Sequence, residues 1–147
     1  MVDSNTQNPR ALLPETLLSK SGLIKNPTSN SKLLGLYFSA HWCPPCKAFT
    51  PILAEAYMEW KEKGRSIEIV FVSSDRDEKE FQGYYNEMPW LAIELSNKDA
   101  VKLLKNRFDV KGIPFFVILD ENGNVVDNQA RASVTNYGPS AIVNWEK

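Results

Sequence analysis

Several residue types that staple or decorate small domains are scarce here, and each scarcity removes a class of function. Two cysteines and one histidine in 147 residues cannot form the disulfide framework of secreted mini-domains. Nor can they supply the four thiolate or imidazole ligands of a structural zinc within one chain. No stretch approaches the roughly 20 consecutive apolar residues that a membrane-spanning helix needs, so no membrane partner is expected. Charge of one sign is missing too: 17 Lys and Arg against 18 Asp and Glu give a net charge of −1, too little field to collect nucleic acid. Met1–Arg10 lacks a basic start followed by an apolar run. It does not read as a secretory signal, and the expected compartment is the cytosol, with a nuclear pool left open.

What is present is enough for one ordinary domain, with 43% apolar and 24% charged residues. Residues 1–11 are expected to be a flexible tail, and residues 12–147 a single domain. Leu12–Ile24, punctuated by Pro14 and Gly22, suggests a short strand or a turn of helix laid on the main body. Asn26–Ser31 is a loop by composition. Leu33–Ser39, Ile67–Ser73 and Phe115–Leu119 are apolar runs of strand length, suited to strands covered on both faces.

From Cys46 to Lys63 the residues Phe49, Ile52, Leu53, Ala56, Tyr57 and Trp60 recur at three- and four-residue spacings, the stripe of an amphipathic helix. Pro51 inside it predicts a bend. A short helix over Asp77–Tyr85 and another from about Ser96 to Phe108 follow, Ser96 and Asp99 resembling a helix start. Asn122-Gly123 between Phe115–Leu119 and Val125–Val126 predicts a hairpin with both turn residues at positive φ. Pro139 can open a last helix through Trp145. Strand and helix alternate before a closing hairpin and helix, so the expected fold class is α/β: a three-layer sandwich with a mixed sheet and helices on both faces.

The chemistry points to Cys43-Pro44-Pro45-Cys46. Cys43 follows a buried strand and begins a helix, so its sulfur should lie near the helix's unpaired amides, which favour thiolate over thiol. Cys43 is then the attacking sulfur. Cys46, one turn on and facing inward, is the resolving thiol. Pro44 and Pro45 bring no backbone N–H to that sulfur. Its pKa should therefore fall only mildly below that of a free cysteine, as suits a reducing protein at cellular pH. Two ordinary buried cysteines, or an inert structural link, are the plainer alternative, but an i to i+3 bridge closes too small a ring to stabilise much. No other cofactor is expected; the redox-active disulfide is the reacting group.

The stretch Phe38–Pro51, containing Trp42-Cys43-Pro44-Pro45-Cys46, resembles the active-site segment of the thioredoxin superfamily, and Trp-Cys-Pro-Pro-Cys is typical of tryparedoxins and nucleoredoxins. Met88–Ala92, Gly112-Ile113-Pro114 and Ala130-Arg131-Ala132 resemble blocks of the same families in the same order. The resemblance implies a protein-disulfide oxidoreductase. Its partners would be disulfide-containing protein substrates, with electrons from a low-molecular-weight dithiol or a thioredoxin or glutathione reductase system. It also implies that Pro114 is a cis-proline facing the pair, with the Ile113 backbone pairing to an extended partner segment. A monomer is expected.

Departures qualify this picture. Tyr37 replaces the buried acid of most thioredoxins, so proton transfer to Cys46 needs another group or water. Asp75 stands where tryparedoxins carry an assisting acid, but its neighbours Ser74 and Arg76 differ from that motif, so a loop or capping role is the plainer reading. Phe115 replaces the Thr usual after the cis-proline. Trp42 is a candidate for shaping the docking surface, and the lone His41 for tuning the thiolate. Arg131 could attract a glutathione-like carboxylate, although an Arg near a strand end more often makes a surface ion pair. The rival function is a redox-sensing binding module of nucleoredoxin type, regulating a signalling partner through the same pair.

Overall fold

The computed structural model describes residues 8–147. The expected tail splits there: residues 1–7 lie outside the described part, whereas Pro9–Leu12 forms a 3-10 turn on the body of the domain. Arg10 is the reason. Its guanidinium donates to the carbonyls of Asp120 (2.9 Å), Thr28 (2.8 Å) and Lys32 (3.1 Å), three segments tied by one planar fork.

Seven strands form one sheet. In chain order they are β1 (Thr16–Ser19), β2 (Gly22–Lys25), β3 (Leu33–Ser39), β4 (Ile67–Ser73), β5 (Leu91–Ala92), β6 (Phe115–Leu119) and β7 (Val125–Asp127), and across the sheet they run β2-β1-β5-β4-β3-β6-β7. β3, β4 and β5 are mutually parallel; β6 is antiparallel to β3, and β7 to β6. The mixed sheet and its helix cover match the α/β expectation. The segment Leu12–Ile24 is neither an isolated strand nor a helix: it supplies a hairpin, β1 and β2, that reaches the sheet through Leu18 opposite Ala92.

The helices are α1 (Pro44–Glu62), α2 (Glu78–Tyr85), α3 (Lys98–Arg107), α4 (Ala130–Tyr137) and α5 (Ala141–Trp145). α1 runs through Pro51 without interruption. Asp77 caps α2, its carboxylate accepting from the Glu80 amide at 2.8 Å. The cap of α3 is Asn97, one residue beyond the expected Ser96, accepting from the Ala100 amide at 3.2 Å. Each such cap contributes about 1 kcal/mol. Helix α4 was not foreseen. Pro139 sits in a 3-10 turn (Gly138–Ser140) that leads into α5, so the last helix begins later than expected.

The β6–β7 connection also differs from the expected two-residue turn. Asp120 pairs with Asn124, and only Gly123 of the loop has positive φ (84°). Asp120 Oδ1 accepts from the amides of Asn122 and Asn124, both at 2.9 Å, so a side chain replaces the second left-handed residue.

Period-two alternation along the strands sorts the core into two layers. Leu33, Tyr37, Ile69, Phe71 and Phe116 face α1, α2, α4 and α5 with Trp60, Trp90 and Trp145. Leu34, Leu36, Phe38, Val70, Val72, Val117 and Leu119 face α3 and the 3-10 turn at Pro9. Gly35 lets Phe116 cross β3: a Cβ there would lie 2.6 Å from its ring. No described helix is long and apolar enough to cross a membrane.

Candidate active site

β3 ends at Ser39 and delivers the chain, after Ala40, His41 and Trp42, to Cys43, which is the N-cap of α1. Prolines at the first two helical positions suit a helix start, because those amides have no intrahelical acceptor and proline lacks them. The next amide, Cys46 N–H, donates to Cys43 Sγ at 3.4 Å. One local N–H therefore reaches the sulfur, in keeping with the two missing from Pro44 and Pro45. Cys43 and Cys46 are joined as a disulfide with Cα atoms 5.2 Å apart.

An attacking sulfur is expected to be open to its partner, yet little of Cys43 is. It is 5% exposed, and Cys46 is fully buried. Cys43 remains the more accessible of the two, but Ala40 and Ile113 pack with the cysteine pair and leave only an edge of Cys43 open. The Ile113–Pro114 bond is cis, and the Ile113 carbonyl lies 3.8 Å from Cys43 Sγ. Around that edge Trp42, Pro44 and Pro45 are exposed and Ile113 is half-buried, making an apolar collar.

The loop after β4 holds the collar. Asp75 is buried; its carboxylate accepts from the His41 amide (2.7 Å) and the Ser73 hydroxyl (2.7 Å). These two bonds tie the loop after β4 to the approach to Cys43. Trp42 Nε1 donates to the Ser74 carbonyl at 3.1 Å, and the Arg76 guanidinium lies 5.1 Å above its ring. His41 presents its ring to the edge of Tyr84, centroids 5.8 Å apart. Arg131 is not at a strand end: it lies exposed in the first turn of α4, and among the described residues it has no ion-pair partner. Arg131 and Pro114 line the same depression of about 330 Å³.

Beneath Cys46 lies a group that the sequence did not single out. Tyr37, Thr50, Tyr84 and Ser39, all buried, close a ring of hydroxyls: Tyr37–Thr50 2.7 Å, Thr50–Tyr84 2.6 Å, Tyr84–Ser39 2.7 Å and Ser39–Tyr37 3.3 Å. Thr50 Oγ1 also reaches the Cys46 carbonyl at 3.0 Å, and Tyr37 Oη reaches it at 3.4 Å. Burial raises the Tyr37 pKa above its ordinary value, so the phenol stays neutral. The available signal was Tyr37 in an otherwise apolar run, since a buried tyrosine hydroxyl demands a partner.

A family model described as thioredoxin-like matches residues 30–125. The chain belongs to the thioredoxin-like family. Among thioredoxin-like relatives, mouse (Mus musculus) nucleoredoxin is 39% identical over 128 residues, covering 86% of this chain and 29% of that protein. The chain thus spans less than a third of that relative's length. Tryparedoxin from Trypanosoma brucei superposes with a TM-score of 0.84 at 37% identity, covering 94% of this chain and 97% of that one. A tryparedoxin II complexed with glutathionylspermidine superposes with a TM-score of 0.83 at 33% identity, covering 91% and 95% of the two chains. The thioredoxin-like domain thus carries its Cys43–Cys46 disulfide at the head of α1. Among the described residues no three His, Cys, Asp or Glu side chains are grouped to hold a metal ion.

Proposed function

We propose that the chain reduces disulfides of protein partners through Cys43 and Cys46. The observation that carries this reading is the Cys43 sulfur at the α1 N-cap, bonded by the Cys46 amide and opening beside Ile113 and Pro114. In the reduced form the Cys43 thiolate attacks one sulfur of the partner's disulfide; a Cys43–partner bond forms and the partner's S–S bond breaks. Cys46 then loses its proton and attacks Cys43 Sγ. The partner leaves as a dithiol, two electrons richer, and the Cys43–Cys46 disulfide remains. A dithiol donor reverses that last bond.

Trp42, Pro44, Pro45 and Ile113 are assigned to contact the partner, because their surfaces surround the open edge of the pair; Pro114, itself buried, is assigned to present the Ile113 backbone to it. Arg131 is assigned to an anionic group of partner or donor. A low-molecular-weight dithiol is proposed as donor; the glutathionylspermidine in the related tryparedoxin II, which carries a single thiol, supports a small glutathione-type thiol at such a site, and a thioredoxin or glutathione reductase system is the alternative. The proposed setting is a monomer in the cytosol, where reductants keep such a pair cycling. No observation at the site favours the redox-sensing module over the enzyme.

Trapping tests the mechanism. Cys46→Ser removes the resolving thiol, so mixed disulfides should accumulate on Cys43 and be identified by mass spectrometry, while Cys43→Ser forms none and reduces no disulfide above background. Partner capture that depends on oxidation, without multiple turnovers in dithiothreitol, would instead establish the sensing module.

A further inference from the structure

The face of α3 beside the active-site loop carries cations that form no ion pair among the described residues. Lys98, Lys102 and Lys105 line a groove of about 360 Å³ whose floor is Ser74, Asp75 and Leu95. Among the described residues none of the three lysines forms an ion pair, and neither does Arg76. Lys61, Lys63 and Lys111 do pair with carboxylates; what sets the three groove lysines apart is that they recur at positions 98, 102 and 105, on one face of α3. Asp99, exposed in the first turn of α3, is the one acid on the helix itself, and three acids of the neighbouring loop and α2 accept from backbone amides. Asp75 accepts from His41, Asp77 from Glu80, and Glu80 from Arg76.

The groove is coupled to the redox corner through one loop. Lys105 Nζ donates to Ser74 Oγ at 2.5 Å, and the carbonyl of the same Ser74 holds Trp42 Nε1. Arg76, over the Trp42 ring, carries positive charge from the groove to the collar around Cys43. Burial lowers the Lys105 pKa, a sign that this ammonium is held partly out of water, where a carboxylate would be welcome.

We infer that the groove between α3 and the loop at residues 73–76 docks a carboxylate-rich segment flanking the disulfide of a protein partner, with Lys98 and Lys102 as its charged contacts. This rests on the disulfide-reductase reading and adds a substrate class to it. Charge on the rim of a docking surface acts through encounter and register, and salt screens it.

The test uses the full chain and two disulfide-bonded peptides that differ only in Glu or Gln beside the cysteines. Wild type should show a kcat/KM about fivefold higher for the acidic peptide, the size expected for two exposed charge pairs. That preference should vanish in about 0.5 M salt and in the Lys98→Glu/Lys102→Glu variant, with the Gln peptide unaffected. Lys105 is left in place because it holds Ser74. Equal rates for both peptides in wild type, or a preference that survives the double reversal, would overturn the inference. A cysteine-free acidic peptide separates the two readings: fluorescence anisotropy should show tighter binding to wild type than to the variant. Such binding without reduction of either peptide would sink the reductase and keep the groove; reduction without it would do the reverse.

Discussion

The two faces of the central sheet solve the packing problem with different materials. The face under α3 is aliphatic and dry: Leu34, Leu36, Val70, Val72, Val117 and Leu119 are fully buried, and its aromatic residues are phenylalanines. The face under α1, α2, α4 and α5 is built from Trp60, Trp90, Trp145, Tyr37, Tyr84 and Tyr85, each with a polar atom to satisfy. Trp60 donates to the Pro139 carbonyl, Trp145 to Asp127, Tyr85 to the Trp90 carbonyl, and the hydroxyl ring closes beneath Cys46. Only Trp90 Nε1 is without a partner among the described residues. The lesson is that the redox helix rests on the face whose order is directional. Aliphatic packing tolerates sliding, whereas bonded hydroxyls fix one register.

The comparison breaks first at its largest anchor. Trp60→Ala removes a fully buried indole, its bond to Pro139 and its edge contact with Trp145; the expected loss is about 3–5 kcal/mol in urea unfolding. A loss no larger than that of a surface substitution would show that this face is not a packed layer.

The hydroxyl ring gives a sharper test because its bonds outnumber its protons. Without Tyr37, Ser39 can donate to Tyr84, Tyr84 to Thr50, and Thr50 to the Cys46 carbonyl. Without Tyr84 the same chain runs through Tyr37. Each Tyr→Phe change alone should therefore cost only about 1 kcal/mol. Tyr37→Phe/Tyr84→Phe leaves Ser39 buried with neither partner, and should cost more than the sum of the two by about 1–2 kcal/mol. Strict additivity in that double-mutant cycle would refute the ring.

The converse experiment introduces a hydroxyl on the dry face. Val117→Thr keeps the shape but buries an oxygen among aliphatic side chains, and should cost about 1–3 kcal/mol while leaving disulfide reduction by the folded protein unchanged. Thermal or urea unfolding beside a turnover assay reads both halves of that statement.

Much of this architecture was legible in the chain. β3, β4 and β6 occupy the expected runs because seven- and five-residue apolar stretches have few other solutions. The hairpin β1–β2 and strand β5 were not legible. Four-residue and two-residue strands carry no readable period, and β5 is defined by its neighbours β4 and β1. α4 was missed because Ala130 and Val134 alone make its buried stripe and its N-cap residue Gln129 makes no capping bond. At the site, the spacing of Cys43 and Cys46 announced the chemistry. The burial of Cys43 did not follow, since Ile113 reaches it from 70 residues away.

The Arg10 fork has a consequence for motion. Its three acceptor oxygens belong to the β6–β7 turn, the segment after β2, and the entry to β3. Loops joined only to their own strands exchange amide hydrogens independently, each at its own opening rate. Held by one guanidinium, these three open as one unit, and Arg10→Ala should uncouple their deuterium uptake into three separate time courses.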